Sequence, residues 1–139
     1  MAEGLPILSE ARDRLDAASD LLDVQRRLML LVMDVLETRV RQELESGLDD
    51  PGYASLHLSV LAEDGCVMLE WIHKEVRACF CVECDVGESS WHVVWRIPWR
   101  GDMDSVYGDL SEANVFEVVD EAVRRVTEVL RNKKAVVAV

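Results

Sequence analysis

The sequence predicts an α+β fold: an N-terminal helical region, a four-stranded antiparallel β-meander with room for a fifth edge strand, and a C-terminal helix packed on the same sheet face. Three observations carry this. Residues 9–46 contain neither Pro nor Gly and are rich in strong helix formers. From Leu56 to Ile97 the chain alternates β-branched, aliphatic and aromatic runs with short turn signals. From residue 111 an apolar stripe returns with helical spacing.

In the helical region 9–47, apolar positions Leu15, Leu21, Leu22, Leu28, Leu31, Val32, Val35, Leu36, Val40 and Leu44 mark a broad buried stripe. A single helix of that extent would measure roughly 57 Å at about 1.5 Å per residue, too long for one compact domain. Ser19-Asp20 offers an internal N-cap, dividing the region into a short helix near 9–18 and a main helix near 20–46. Alternatively the helix is continuous and its free end packs on a second subunit. Met29-Leu30-Leu31-Val32-Met33 is apolar on nearly every side, as in a helix buried from two directions or one crossing the centre of a sheet. Gly47 suits the helix C-cap, and Pro51 blocks continuation.

The strand register over 54–97 follows from the turns. Asp64-Gly65 favours a two-residue hairpin with φ > 0 at both central positions. This sets Glu63 opposite Cys66, Val60 opposite Leu69, Leu58 opposite Trp71 and Leu56 opposite His73. A tight turn at Lys74-Glu75 sets Val76 opposite His73, Ala78 opposite Trp71, Phe80 opposite Leu69 and Val82 opposite Val67. If Gly87-Glu88 closes the third hairpin, Cys84 faces Trp91, Val82 faces Val93, Phe80 faces Trp95 and Ala78 faces Ile97. All three turns place the apolar set on one face, and a one-residue slip would turn it over.

The opposite face then reads, row by row, Leu61-Met68-Cys81-Val94, Ser59-Glu70-Cys79-Arg96, His57-Ile72-Arg77 and Cys66-Glu83-His92. A solvated face of an antiparallel sheet is normally polar. Leu61, Met68, Ile72, Cys79, Cys81 and Val94 break that rule, so either a terminal segment or a second subunit covers them. Pro98-Trp99-Arg100-Gly101 ends the fourth strand and begins a loop over 98–110, with a short strand expected around Ser105 to Tyr107. Trp99 in this loop is a candidate partner anchor. Asn114 to Glu117 fits a capping arrangement, with Ser111 as a second cap, for a helix over 111–132. Its stripe is Val115, Phe116, Val119, Val123, Val126, Val129 and Leu130. The apolar tail 133–139 is expected to dock as an edge strand or to cover part of the mixed face.

The 139 residues are 50% hydrophobic and 30% charged, the composition of a single globular domain spanning 1–139. A net charge of −12, from 15 basic and 27 acidic residues, argues against nucleic acid and anionic membrane surfaces, which select clustered Lys and Arg. The N-terminal segment lacks the pattern of a signal peptide, and no apolar run is long enough to span a bilayer. Cys66, Cys79, Cys81 and Cys84, without a secretion signal, are expected as reduced thiols in a cytoplasm.

No metal or other cofactor is expected. In a continuous strand Cys79 and Cys81 share a face that Cys84 does not, which leaves Cys66, Cys79, Cys81 and His92 as the remaining conceivable ligand set. A Cys66-Glu83-His92 cluster can be drawn, but no G-x-S-x-G, phosphate-binding Gly loop or H-E-x-x-H accompanies it, and no catalytic residue is assigned. In size, acidity and helix-sheet-helix order the chain resembles the small acidic chaperones of bacterial secretion systems. That resemblance implies a dimer that binds an effector segment. The mixed face makes the expected role a non-enzymatic, homodimeric, protein-binding module, adaptor or chaperone-like, using Leu61, Met68, Ile72, Cys81, Val94 and Trp99. The alternative is a small apolar ligand held between the helices and a face bearing Trp71, Phe80, Trp91 and Trp95.

Overall fold

The N-terminal helical region is divided in two: α1 spans Pro6–Ala17 and α2 spans Asp23–Glu45. The computed structural model describes residues 6–18, 21–46, 57–63, 65–73, 76–96 and 103–138, with the backbone alone at 6–7, 57–63, 73 and 130–138. α1 begins at Pro6 rather than near residue 9, because proline is preset for the first helical position, where its missing N–H would have no partner anyway. α2 begins at Asp23 rather than near residue 20, with Leu22 in the N-cap position. Leu22 has no capping side chain. Instead Gln25 reaches back, and its Oε1 accepts from the Leu22 N–H at 3.0 Å. Ser19-Asp20 and Gly47 to Leu56 lie outside the described residues.

Arg26 ties the two helices. Its guanidinium donates to the carbonyls of Leu15 and Ala18, the second at 2.6 Å, so a cation closes the negative C-terminal end of α1. Arg12 pairs with Asp34 at 2.7 Å across the same interface.

β1 (His57–Glu63), β2 (Cys66–His73), β3 (Val76–Val82), β4 (Ser90–Arg96) and β5 (Met103–Asp109) form one antiparallel sheet in sequence order. The first two hairpins have the expected register: Glu63 faces Cys66, Val60 faces Leu69, Leu69 faces Phe80 and His73 faces Val76. Gly65 takes φ +80, the left-handed conformation that its turn demands. β5 supplies the fifth strand, at the edge.

The third hairpin differs. Phe80 faces Trp91, not Trp95; Ala78 faces Val93, not Ile97; and Val76 faces Trp95. Gly87 does not take the positive φ of a two-residue turn. Residues 83–89 instead make a wider connection around a 3₁₀ turn, Val86–Glu88. The Asp85 carboxylate accepts from the Gly87 N–H at 3.1 Å, and the Glu83 N–H donates to the buried Ser89 hydroxyl at 3.0 Å. The ladder thus slides by an even number of residues, which leaves every side chain on its expected face while changing its partner.

α3 runs from Val115 to Ala138. Residues 133–138 therefore continue the helix rather than form an edge strand or a cover. Asn114 precedes α3, but its side chain turns back to the loop, accepting from the Ser111 N–H and donating to the Asp109 carbonyl at 2.9 Å. Val118 and Ala122 join the buried stripe. Phe116, expected in it, is 66% exposed.

The core lies between the helices and one face of the sheet. Leu8, Leu15, Met29, Met33, Leu36, Val119 and Val123 meet Val67, Leu69, Ala78, Phe80, Val82 and Val93 there. α2 packs against α1, α3, β2 and β3, which is why Met29, Val32 and Met33 are all buried. Each fully buried side chain of this size contributes about 1.5–3 kcal/mol relative to exposure.

Candidate functional site

The second face of the sheet is the candidate site. Its rows, corrected for the third hairpin, are Leu61-Met68-Cys81-Ser90-Asp109, Ser59-Glu70-Cys79-His92-Tyr107 and His57-Ile72-Arg77-Val94-Ser105, with Arg96 opposite Met103 at one end. Val94 therefore leaves the row of Met68 and Cys81 and joins Ile72 and Arg77. Among the described residues, Met68, Ile72, Cys81, His92 and Val94 are half-buried, while Arg77, Arg96, Met103 and Tyr107 are exposed. Tyr107, at 81% exposure, and Met103, at 58%, extend the apolar surface onto β5. A shallow groove of about 550 Å³ runs between Ile72, Arg77, His92, Val94 and Met103.

Charge is separated along this face. Arg77 and Arg96 occupy one end; Glu83 and Asp109 lie toward the other. In the middle, Glu70 is 8% exposed and its carboxylate is paired with Arg77, which lies across it. Such pairing is what makes a buried carboxylate tolerable. Cys79, flanked by Glu70 and His92, is 1% exposed. Burial, with the Glu70 charge nearby, pushes its thiol up to about 11. The Cys81 thiol is raised too, by burial and by the bond it donates to the Glu83 carboxylate at 3.3 Å.

The Cys66-Glu83-His92 cluster is not assembled. His92 pairs with Cys79, in a different row from Glu83. A nucleophilic cysteine needs its thiolate near neutral pH, and the Cys79 thiol is held in the protonated form. The set of Cys66, Cys79, Cys81 and His92 is likewise divided. Cys66, Cys81 and Glu83 come together instead, their ligand atoms within 4.8 Å of one another.

Of the tryptophan face, Phe80 is fully buried and Trp71 and Trp91 are 3% and 7% exposed, all within the core; Trp95 is half-buried against it. Large and small residues alternate across this face: Trp71 lies beside Ala78, and Trp91 beside Gly108. Trp99 lies outside the described residues, and Leu61 is described by register alone. The sequence reading missed Met103 and Tyr107, which only a committed β5 register would have placed beside Arg96 and His92. No described helix is long and apolar enough to cross a membrane.

His92 gives the face a pH dependence. It faces Arg77 and Cys79 on β3, Glu70 on β2 and Tyr107 on β5. Burial and then the Arg77 guanidinium lower its pKa below the usual 6.5, with Glu70 opposing. The unfolded chain therefore takes up this proton first as pH falls. Stability is full above the unfolded value and declines as pH drops through it toward the folded one. Urea unfolding at pH 7 and pH 5 reads this directly: His92→Gln is expected to show a smaller loss on acidification than the parent. Equal losses would remove His92 from the account.

Comparisons with family models, with curated proteins and with solved structures found no match for this chain.

Proposed function

We propose that the chain is a non-enzymatic, homodimeric protein-binding module, adaptor-like or chaperone-like, that self-associates through the second face of its sheet. The observation that carries this is the mixed face itself. Met68, Ile72, Val94, Met103 and Tyr107 stay wholly or partly in contact with solvent, while the described helices build the core on the other side. Apolar side chains left at the surface of a sheet mark a contact site more often than a solvated face, which is normally polar.

The occupant best suited to it is a second copy. With a two-fold axis lying between two stacked sheets and running across the strands, the Arg77 and Arg96 end of one copy meets the Glu83 and Asp109 end of the other. One patch is then its own complement. Two sheets stacked about 10 Å apart bury their facing side chains as a sandwich does. The net charge of −12 leaves the rest of the dimer suited to a basic protein partner.

Light scattering coupled to size exclusion tests the reading. The parent is expected at twice the chain mass over a wide concentration range. Val94→Glu and Met68→Glu each place a carboxylate on the contact face, where taking the charge out of water costs about 3 kcal/mol or more, a weakening of roughly a hundredfold. Both are expected as folded monomers by circular dichroism. A variant that stays dimeric would exclude this face as the interface, and a monomeric parent would exclude the homodimer.

A further inference from the structure

Three donor groups meet at the Glu83 end of the second sheet face. Cys66 opens β2 directly after the Gly65 turn, Cys81 is the penultimate residue of β3, and Glu83 follows the end of that strand. One ligand atom from each, two sulfurs and a carboxylate oxygen, lies within 4.8 Å of the other two. All three residues are half-buried, so the cluster is held by the fold yet open to solvent.

The backbone around it is fixed on both sides. Gly65 holds its left-handed turn at φ +80. Ser89, itself 1% exposed, accepts from the Glu83 N–H at 3.0 Å. The β2–β3 register sets Glu83 beside Cys66, one step beyond the Val67–Val82 pair, and the wide third connection anchors its backbone there. In a two-residue hairpin that position would have belonged to the ladder.

As it stands, the cluster holds a thiol-to-carboxylate hydrogen bond, from Cys81 to Glu83 at 3.3 Å. Cys66 converges on the same point, as a hydrogen-bond partner of the Cys81 thiol. Two sulfurs and one carboxylate suit a borderline-soft, tetrahedral cation. Zinc bonds thiolate at about 2.3 Å and carboxylate at about 2.0–2.2 Å, so ligand atoms on one ion lie a little under 4 Å apart. Calcium and magnesium require oxygen ligands throughout and do not fit this donor set. We infer that Cys66, Cys81 and Glu83 form a zinc site with its fourth position open to solvent, clipping the β1–β2 turn to the β3–β4 connection. The inference does not rest on self-association, since all three ligands belong to one chain.

The test uses the full reduced chain. Zinc affinity is measured by competition with a chromophoric chelator, and cobalt(II) serves as a spectroscopic probe of thiolate ligation. The parent is expected to bind one equivalent and to show a thiolate-to-cobalt charge-transfer band. Cys66→Ser and Cys81→Ser should each lower zinc affinity by about a hundredfold and take away roughly half of that band. Glu83→Gln should weaken binding by about tenfold while keeping the band. Cys79→Ala should change neither, and circular dichroism checks that each variant is folded. The inference is overturned if the parent binds zinc no more tightly than the Cys66→Ser/Cys81→Ser double variant, or if Cys79→Ala abolishes the band.

Discussion

Phe80→Ala lowers the free energy of unfolding by about 3–5 kcal/mol. Phe80 is fully buried on β3, the middle strand of five, between Leu69 on β2 and Trp91 on β4. Both α2 and α3 pack against β3. The truncated side chain gives up its transfer free energy and leaves a cavity that the neighbours cannot fill. Two ladders hold the backbone below, and helix side chains already in contact hold it above. A domain of this size has about 5–15 kcal/mol in total, so the variant should be marginal at 37 °C. Urea unfolding followed by circular dichroism measures the loss. Phe116→Ala is the control: that ring is 66% exposed, and its removal should change stability by no more than about 0.5 kcal/mol. A loss under about 1 kcal/mol for Phe80→Ala would mean that the core does not centre on β3.

The contrast between those two phenylalanines shows what the chain discloses before it folds. The first two hairpins are legible because each turn is tight, and an odd slip would expose a whole apolar set. The third is not, because its geometry depends on side chains that bind the loop: Asp85 onto Gly87, and Ser89 onto Glu83. An even slip leaves the hydrophobic pattern unchanged, so periodicity alone cannot detect it. Gln25 was hidden for a similar reason. It is 1% exposed although its neighbours Asp23, Arg26 and Arg27 are charged, and its amide donates to the Gly65 carbonyl at 2.7 Å, tying the start of α2 to the first sheet turn. Its one local signal was the spacing Leu22-x-x-Gln25, half of a capping box. The helical course of residues 133–138 was legible, since no Gly or Pro follows Gly108, but the apolar tail suggested a strand. Of the second face, the sequence showed its mixed character and Met68, Ile72, Cys81 and Val94. Its true rows across β4 required the third register, whereas the placing of Glu83 beside Cys66 follows from the second hairpin.

Gly108→Val tests that register from the edge of the sheet, with an expected cost of about 1–3 kcal/mol. Gly108 lies on β5 opposite Trp91, and its backbone does not take a positive φ, so strain is not the issue. Space is. A Cβ at this position would stand 2.9 Å from Trp91 Nε1 and 3.5 Å from Cε2, closer to the nitrogen than real contacts allow. The indole is 7% exposed, with core residues around it, so it cannot simply swing aside. Either β5 separates from β4, or the ring tips toward solvent. Tipping would shift its emission to longer wavelength, and separation would weaken amide protection along β4 and β5 in hydrogen exchange. Gly108→Ala places the same Cβ without the branches and should show the same signs at smaller amplitude. Under the alternative register, with Trp91 opposite Cys84, the valine would be a favourable strand residue at an exposed edge. A variant at least as stable as the parent, with unshifted emission, would therefore favour that pairing. A destabilised variant with red-shifted tryptophan would fix Trp91 over Gly108, and with it the second-face rows that place Tyr107 beside His92 and Ser105 beside Val94.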